Sequence, residues 1–173
     1  TALELADCRR LATVDCSGNQ LTALNLSATN ALLTLNCKNN RLSTLTFNSM
    51  SYPIHVDCSG NQLTELNTDT MQFTRYLDCS DNQLTRLNVR NCSVVETFSC
   101  QGNKLERLDL TSDGKYHALS LNAIGEGYVG YAMEQKEDGA TTYTVVATPV
   151  EGSVFQGWYT NRDCTTLVTT NST

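Results

Sequence analysis

Apolar and polar positions in the first two-thirds of the chain follow neither a helical nor a simple strand period; they return every 21 residues. Val14, Leu35, Val56, Leu77 and Phe98 hold one apolar position, and Cys16, Cys37, Cys58, Cys79 and Cys100 stand two residues after it. Asn19, Asn40, Asn61, Asn82 and Asn103 keep the same step, as do Leu21, Leu42, Leu63, Leu84 and Leu105, then Leu24, Leu45, Leu66, Leu87 and Leu108. A fixed period of this length is the mark of stacked coils, each too small to bury its own apolar side. Within VDCSGN, alternation sends Val14 and Cys16 inward and Asp15 and Ser17 outward. One short strand per coil is therefore predicted, in parallel register with its neighbours at about 4.8 Å. A 21-residue unit leaves little room for a helix, so the NxLTxLxL segment is expected to be extended or 3₁₀. The inward Asn is expected to spend its amide on backbone groups at the turn, from coil to coil.

The unit LxxLxCxxNxLxxLxL resembles the leucine-rich repeat, over roughly residues 3–121. Leu3 and Leu5 fit the end of a preceding coil. Tyr116, Leu119 and Leu121 fit the start of a sixth, with Leu121 in the cysteine slot and Ile124 in the asparagine slot. Pro53 and Thr74 stand where Leu is expected, and the neighbouring Tyr52 and Phe73 are expected to fill those gaps.

The repeat ends near Leu121. GYVGYAMEQ, TTYTVVATPV and SVFQGWYTN are β-branched and aromatic and are separated by KEDGA and EGS, which predicts consecutive antiparallel strands. The stretch TTYTVVATPVEGSVFQGWYT resembles the B-repeats of internalin-type bacterial surface proteins, through Thr144, Ala147, Pro149, Glu151, Gly152, Phe155, Gly157, Trp158 and Tyr159. The expected architecture is a leucine-rich-repeat solenoid at 1–123, with a parallel β strand face, little or no α-helix, five full coils and partial end coils. A small, mostly antiparallel β module follows at 124–173, with Trp158 expected in its core.

Eight cysteines invite a disulfide reading. Five, however, occupy an inward slot usually given to Leu, and stacked parallel neighbours point the same way, which opposes the roughly 90° disulfide dihedral. Buried thiols, strained disulfides and metal ligands all remain readings of this ladder, and packing favours the first. Cys8 and Cys92 share a spacer position four coils apart and cannot pair. There is no CxxC pair, and His55 and His117 occupy outward slots, so no metal or other cofactor is expected. Asp15, Ser17 and Asn19 have the spacing of a calcium loop but lack its Gly and its Glu.

With net charge −6 and no Lys/Arg cluster, the chain is not expected to bind nucleic acid. No apolar run reaches the ~18 residues that span a bilayer. What remains is the outward strand face. Small polar residues dominate it, but Ile54, His55, Asp57, Arg75, Tyr76, Asp78 and Glu96 form a mixed aromatic and charged patch, with Tyr and Arg the residue types common at interface hot spots. No nucleophile elbow, phosphate loop or metal motif accompanies the patch, so the chain is not expected to be an enzyme. The resemblance implies an extracellular or cell-surface protein that binds a protein or glycan of a host or neighbouring cell through its strand face, acting as a monomer. The alternative is a structural stalk, or a presenter segment of a larger surface protein. Asp69-Thr70-Met71 also resembles an acceptor site for O-glycosylation in some bacteria.

Overall fold

A computed structural model describes residues 2–3, 5, 8–47, 54–69, 71–89, 92, 94–109, 120–122, 127–135, 141–159 and 167–169. Every regular element among them is a strand. The 21-residue period builds one parallel sheet from β2 (Thr13–Asp15), β4 (Thr34–Asn36), β6 (Ile54–Asp57), β7 (Thr74–Asp78) and β8 (Thr97–Ser99). Register follows the repeat: Val14 lies beside Leu35, Leu35 beside Val56, Val56 beside Leu77 and Leu77 beside Phe98. A second parallel sheet runs up the other side through β1 (Ala2–Leu3), β3 (Ala23–Leu26) and β5 (Thr44–Phe47), the extended reading of the LTxLxL segment. Between the two sheets lies one apolar core.

Main-chain bonds continue past the strands. The Cys16, Cys37, Cys58 and Cys79 amides each donate to a carbonyl of the next coil, Asn36, Asp57, Asp78 and Ser99 in turn. The asparagines do what their inward position requires. Asn61 Oδ1 accepts from the Leu42 amide at 3.0 Å, while Nδ2 donates to the carbonyls of Cys37 and Cys58. Asn40, Asn82 and Asn103 repeat this with their own neighbours, so each amide closes its own turn and staples it to the coil before.

One regularity runs beside the asparagines. Gly18, Asn39, Gly60, Asp81 and Gly102 all adopt left-handed backbone, φ 52–65°. Glycine alternates with Asn or Asp for a steric reason: a Cβ at Gly60 would lie 2.5 Å from Asn39 Oδ1, and one at Gly102 would collide with Asp81 Oδ1.

The upper end departs from expectation. Leu121 does not begin a sixth parallel coil. It lies in β10 (Ser120–Asn122), which pairs antiparallel with β9 (Arg107–Asp109), Leu121 opposite Leu108. Tyr116, Leu119 and Ile124 lie outside the described residues. The place beside β8 is taken by β11 (Gly127–Gln135), antiparallel, with Met133 opposite Phe98, and β12 (Thr141–Pro149) pairs along β11's other side. The hairpin supplies what a next coil would: Tyr131 O accepts from the Cys100 amide at 2.8 Å, and the Val129 amide donates to Leu105 O at 2.7 Å. Val129, Tyr131 and Met133 enter the solenoid core, with Tyr131 tilted against Phe98 at 5.9 Å. The C-terminal strands thus continue the solenoid sheet to seven strands. Beyond them β13 (Trp158–Tyr159) pairs antiparallel with β14 (Leu167–Thr169); Trp158 is half-buried against the core and edge-on to Phe155.

The irregular coils resolve differently from expectation too. Phe73 does not fill the gap left by Thr74; it is 43% exposed, and Thr74 itself is fully buried with its hydroxyl unpartnered. Met71, also fully buried, supplies apolar volume in that coil. Tyr52 and Pro53 lie outside the described residues.

A polar depression on the strand face beside a His–Tyr stack

Alternation along the short strands places one residue before and one after each buried Val or Leu on the outer face. In the first four coils these are Thr13 and Asp15, Thr34 and Asn36, His55 and Asp57, Tyr76 and Asp78. His55 and Tyr76 are register neighbours, and their rings stack at 3.9 Å with 19° between planes. Coils one and two carry only threonine at that position, so the surface falls away below the stack. The resulting depression, about 420 Å³, is lined by Thr13 and Thr34, by His55 and Tyr76, and by a polar row of Asp15, Asn36, Lys38 and Asp57.

That row is tied together. Asp15 Oδ1 accepts from the Ser17 hydroxyl and amide, and its Oδ2 from Asn36 Nδ2 at 3.2 Å. Lys38 Nζ lies 3.5 Å from Asp57 Oδ2, while Asp57 Oδ1 holds Ser59. The Ser17 hydroxyl and then its amide keep the Asp15 carboxyl below the usual carboxylate range. Burial, then the Asp78 and Asp57 carboxylates, push the Tyr76 phenol up, so it stays a neutral donor and acceptor. The depression offers a flat aromatic face and a fixed line of donors and acceptors.

Of the residues expected on the binding surface, His55, Asp57 and Tyr76 meet at this depression. Arg75 and Glu96 lie beside it as an exposed ion pair, 3.3 Å apart. Asp78 is bound to Ser80, its Oδ1 accepting from both hydroxyl and amide. Ile54 is a correction: it is 2% exposed and belongs to the core. Alternation along β6 turns Ile54 inward with Val56 and leaves His55 and Asp57 outside. A bulge acts on the facing strand: Ile54 pairs with Thr74 and His55 with Tyr76, so Arg75 is the extra residue and stays outside while Thr74 turns in. In the sequence, coils one and two present only small and polar residues to this depression apart from one. Lys38 was the available signal, the one basic side chain in a slot otherwise filled by Ser17, Ser59, Ser80 and Gln101.

The calcium-like spacing has another explanation: Asp15 and Ser17 form a turn together, and Asn82, the equivalent of Asn19, is buried against backbone. Thr70 of the possible acceptor site lies outside the described residues. Beneath the strand face, Cys16, Cys37, Cys58, Cys79 and Cys100 are buried free thiols, and the spacer residues Cys8 and Cys92 are free as well. Cys58, Cys79 and Cys100 point their Sγ at carbonyls of the next rung, at 3.3–3.5 Å.

A parallel solenoid carrying a ladder of unpaired thiols invites comparison with solved structures. The chain is similar to the functional domain of InlJ from Listeria monocytogenes. The two superpose with a TM-score of 0.55 at 25% identity, over 64% of this chain and 25% of that one. That domain is described as including a cysteine ladder, the feature that fills the core here. The likeness to this internalin-type structure carries the solenoid fold, and the chain spans about a quarter of that structure's length. No protein-family model matches the sequence, and no curated protein matches it.

Proposed function

We propose that the chain is a surface-displayed or secreted binding protein, an adhesin rather than an enzyme, which holds a protein or glycan in the depression of its strand face. The observation that carries this reading is the His55–Tyr76 stack standing over the threonines of coils one and two, beside the row Asp15–Asn36–Lys38–Asp57. A ring from the ligand, sugar or aromatic, laid on His55 continues an existing stack, and hydroxyl or amide groups meet donors and acceptors already held in place. Recognition of this kind gains from preorganisation, because the solenoid orders these side chains before the ligand arrives. Likeness to the InlJ functional domain supports placement outside the cell, and the B-repeat resemblance of 124–173 supports a presenting role for the C-terminal strands.

A second reading, the rigid stalk, is favoured by one observation: Asp15, Asp57 and Asp78 all spend an oxygen on capping their own turns. A screen of the purified chain against glycans and extracellular-matrix proteins separates the two. His55→Ala/Tyr76→Ala is expected to abolish the signals of the parent chain, while Arg75→Ala weakens them less than threefold. No signal from the parent, or signals indifferent to the double variant, would establish the stalk.

A further inference from the structure

The seven-stranded sheet has two ends of different character. One is β2, three residues long and carrying Asp15. The other is β12, nine residues long, and among the described residues no strand pairs with its outer edge. The directions of its backbone groups follow from β11. Tyr131 and Val129 bond toward the coils, so Tyr128, Gly130, Ala132 and Glu134 bond toward β12, where they face Thr148, Val146, Thr144 and Thr142. The alternate residues Thr141, Tyr143, Val145 and Ala147 therefore direct N–H and C=O away from the sheet.

An edge of this length usually carries charge to prevent pairing. Residues 141–149 read TTYTVVATP, without one charged side chain in a chain of net charge −6. We infer that β12 pairs with β12 of a second copy of this chain, antiparallel about a two-fold axis at Val145. Three features select this occupant. The segment lacks charge, so two acidic copies approach here without repulsion between facing side chains. The register about Val145 sets Thr144 opposite Val146, a β-branched pair of the kind that stabilises antiparallel strands. It forms about eight main-chain hydrogen bonds across the axis, Pro149 contributing only its carbonyl. The competing contact, β12 against β2, is limited by the three residues and the carboxylate of β2 and generates an open filament instead of a closed pair.

The two-fold axis stands perpendicular to the joined sheet, so both strand faces look the same way. If the face binds as proposed above, the dimer presents two depressions side by side and gains avidity. The dimer itself does not depend on that reading.

Sedimentation of the whole chain at rising concentration tests the inference. The mass is expected to rise from 19.0 kDa to twice that value and stop. Ala147→Pro removes one outward N–H that the monomer does not use. Thr144→Lys/Val146→Lys sets like charges opposite each other across the axis. Both variants are expected to weaken dimerisation by roughly tenfold or more, with urea midpoints unchanged at dilutions where the parent is monomeric. Thr144→Lys/Val146→Glu, which sets opposite charges across the axis, is expected to restore the dimer. A parent that stays at 19.0 kDa, a mass that grows past two copies, or variants that dimerise like the parent would overturn the inference.

Discussion

At the scale of single residues, the solenoid rests on side chains that look interchangeable in the repeat but are not. Asn61 links two coils through buried bonds, whereas Asn19, in the first coil, is exposed and donates within its own turn to Cys16 and Ser17. Asn61→Ala leaves the buried Leu42 amide unpaired, while the Cys37 and Cys58 carbonyls keep their bonds from Asn40 and Asn82, and is expected to cost about 1–3 kcal/mol; Asn19→Ala is expected to cost about 1 kcal/mol or less. Urea denaturation of both variants measures the difference. Gly18 and Gly60 form a second contrast. Both are left-handed, so alanine strains each by about 1–2 kcal/mol, but only at Gly60 does the new Cβ meet Asn39. Gly60→Ala should therefore be the more destabilising, and equal midpoints would remove the steric account of the Gly/Asn alternation. These positions were unevenly legible. The asparagines declared themselves by their period, because a polar residue recurring in an inward slot must bond backbone. The left-handed slot did not, because its constraint lies between coils and appears only when Asn39 is seen over Gly60. The inward position of Ile54 is legible, since alternation in IHVD sets it with Val56; the outward position of Arg75 is not, because the bulge there is a pairing feature that alternation along one strand cannot show.

At the scale of elements, the ladder of short parallel strands could be read from spacing alone, while the cap could not. Parallel coils repeat in register, so their pairing is written in the period; an antiparallel hairpin pairs by reflection and leaves no period. Tyr116, Leu119 and Leu121 imitated one more coil, yet β10 turned back on β9 and β11 took the place beside β8. The hairpin is expected to set the stability of the last coil. Tyr131 is buried against Phe98 and its carbonyl receives the Cys100 amide. Tyr131→Ala should cost about 3–5 kcal/mol, in the range of other large aromatic truncations. Hydrogen exchange should show the loss locally: the Cys100 amide, as slow as that of Cys79 in the parent, becomes fast in the variant while Cys37 stays protected. Uniform loss across the coils would mean that the hairpin is no cap and the solenoid melts as one unit.

At the scale of the whole molecule, thiols buried at successive rungs couple stability to pH. Burial raises Cys16, Cys37, Cys58 and Cys79 above the ordinary thiol value of 9.0, and pushes Cys92 and Cys100 up to about 12. The folded state thus keeps protons that the unfolded chain releases. Stability is fully present below pH 9 and falls as pH rises toward 12, by about 1.4 kcal/mol per pH unit for each of Cys37, Cys58, Cys79, Cys92 and Cys100. Urea midpoints between pH 7 and 11 should be flat at first and then drop steeply; a flat profile to pH 11 would mean that the thiols are accessible to water when folded. The strand face above the ladder is held by its own bonds, Asp15 to Ser17 and Asn36, and Asp57 to Ser59 and Lys38, which is what the binding account needs. That account was half legible: His55, Asp57 and Tyr76 stood out as aromatic and charged residues among threonines, but their partners Asp15, Asn36 and Lys38 emerged only when the coils stacked. The most direct test is a titration of isotope-labelled chain, by nuclear magnetic resonance, with the strongest glycan or matrix-protein fragment from the binding screen. The account predicts that His55 and Tyr76 ring signals and the Asn36 and Lys38 signals shift together and saturably, while those of Glu65 and Arg86, outside the strand face, stay still. Binding that leaves the His55 and Tyr76 rings unmoved would contradict it.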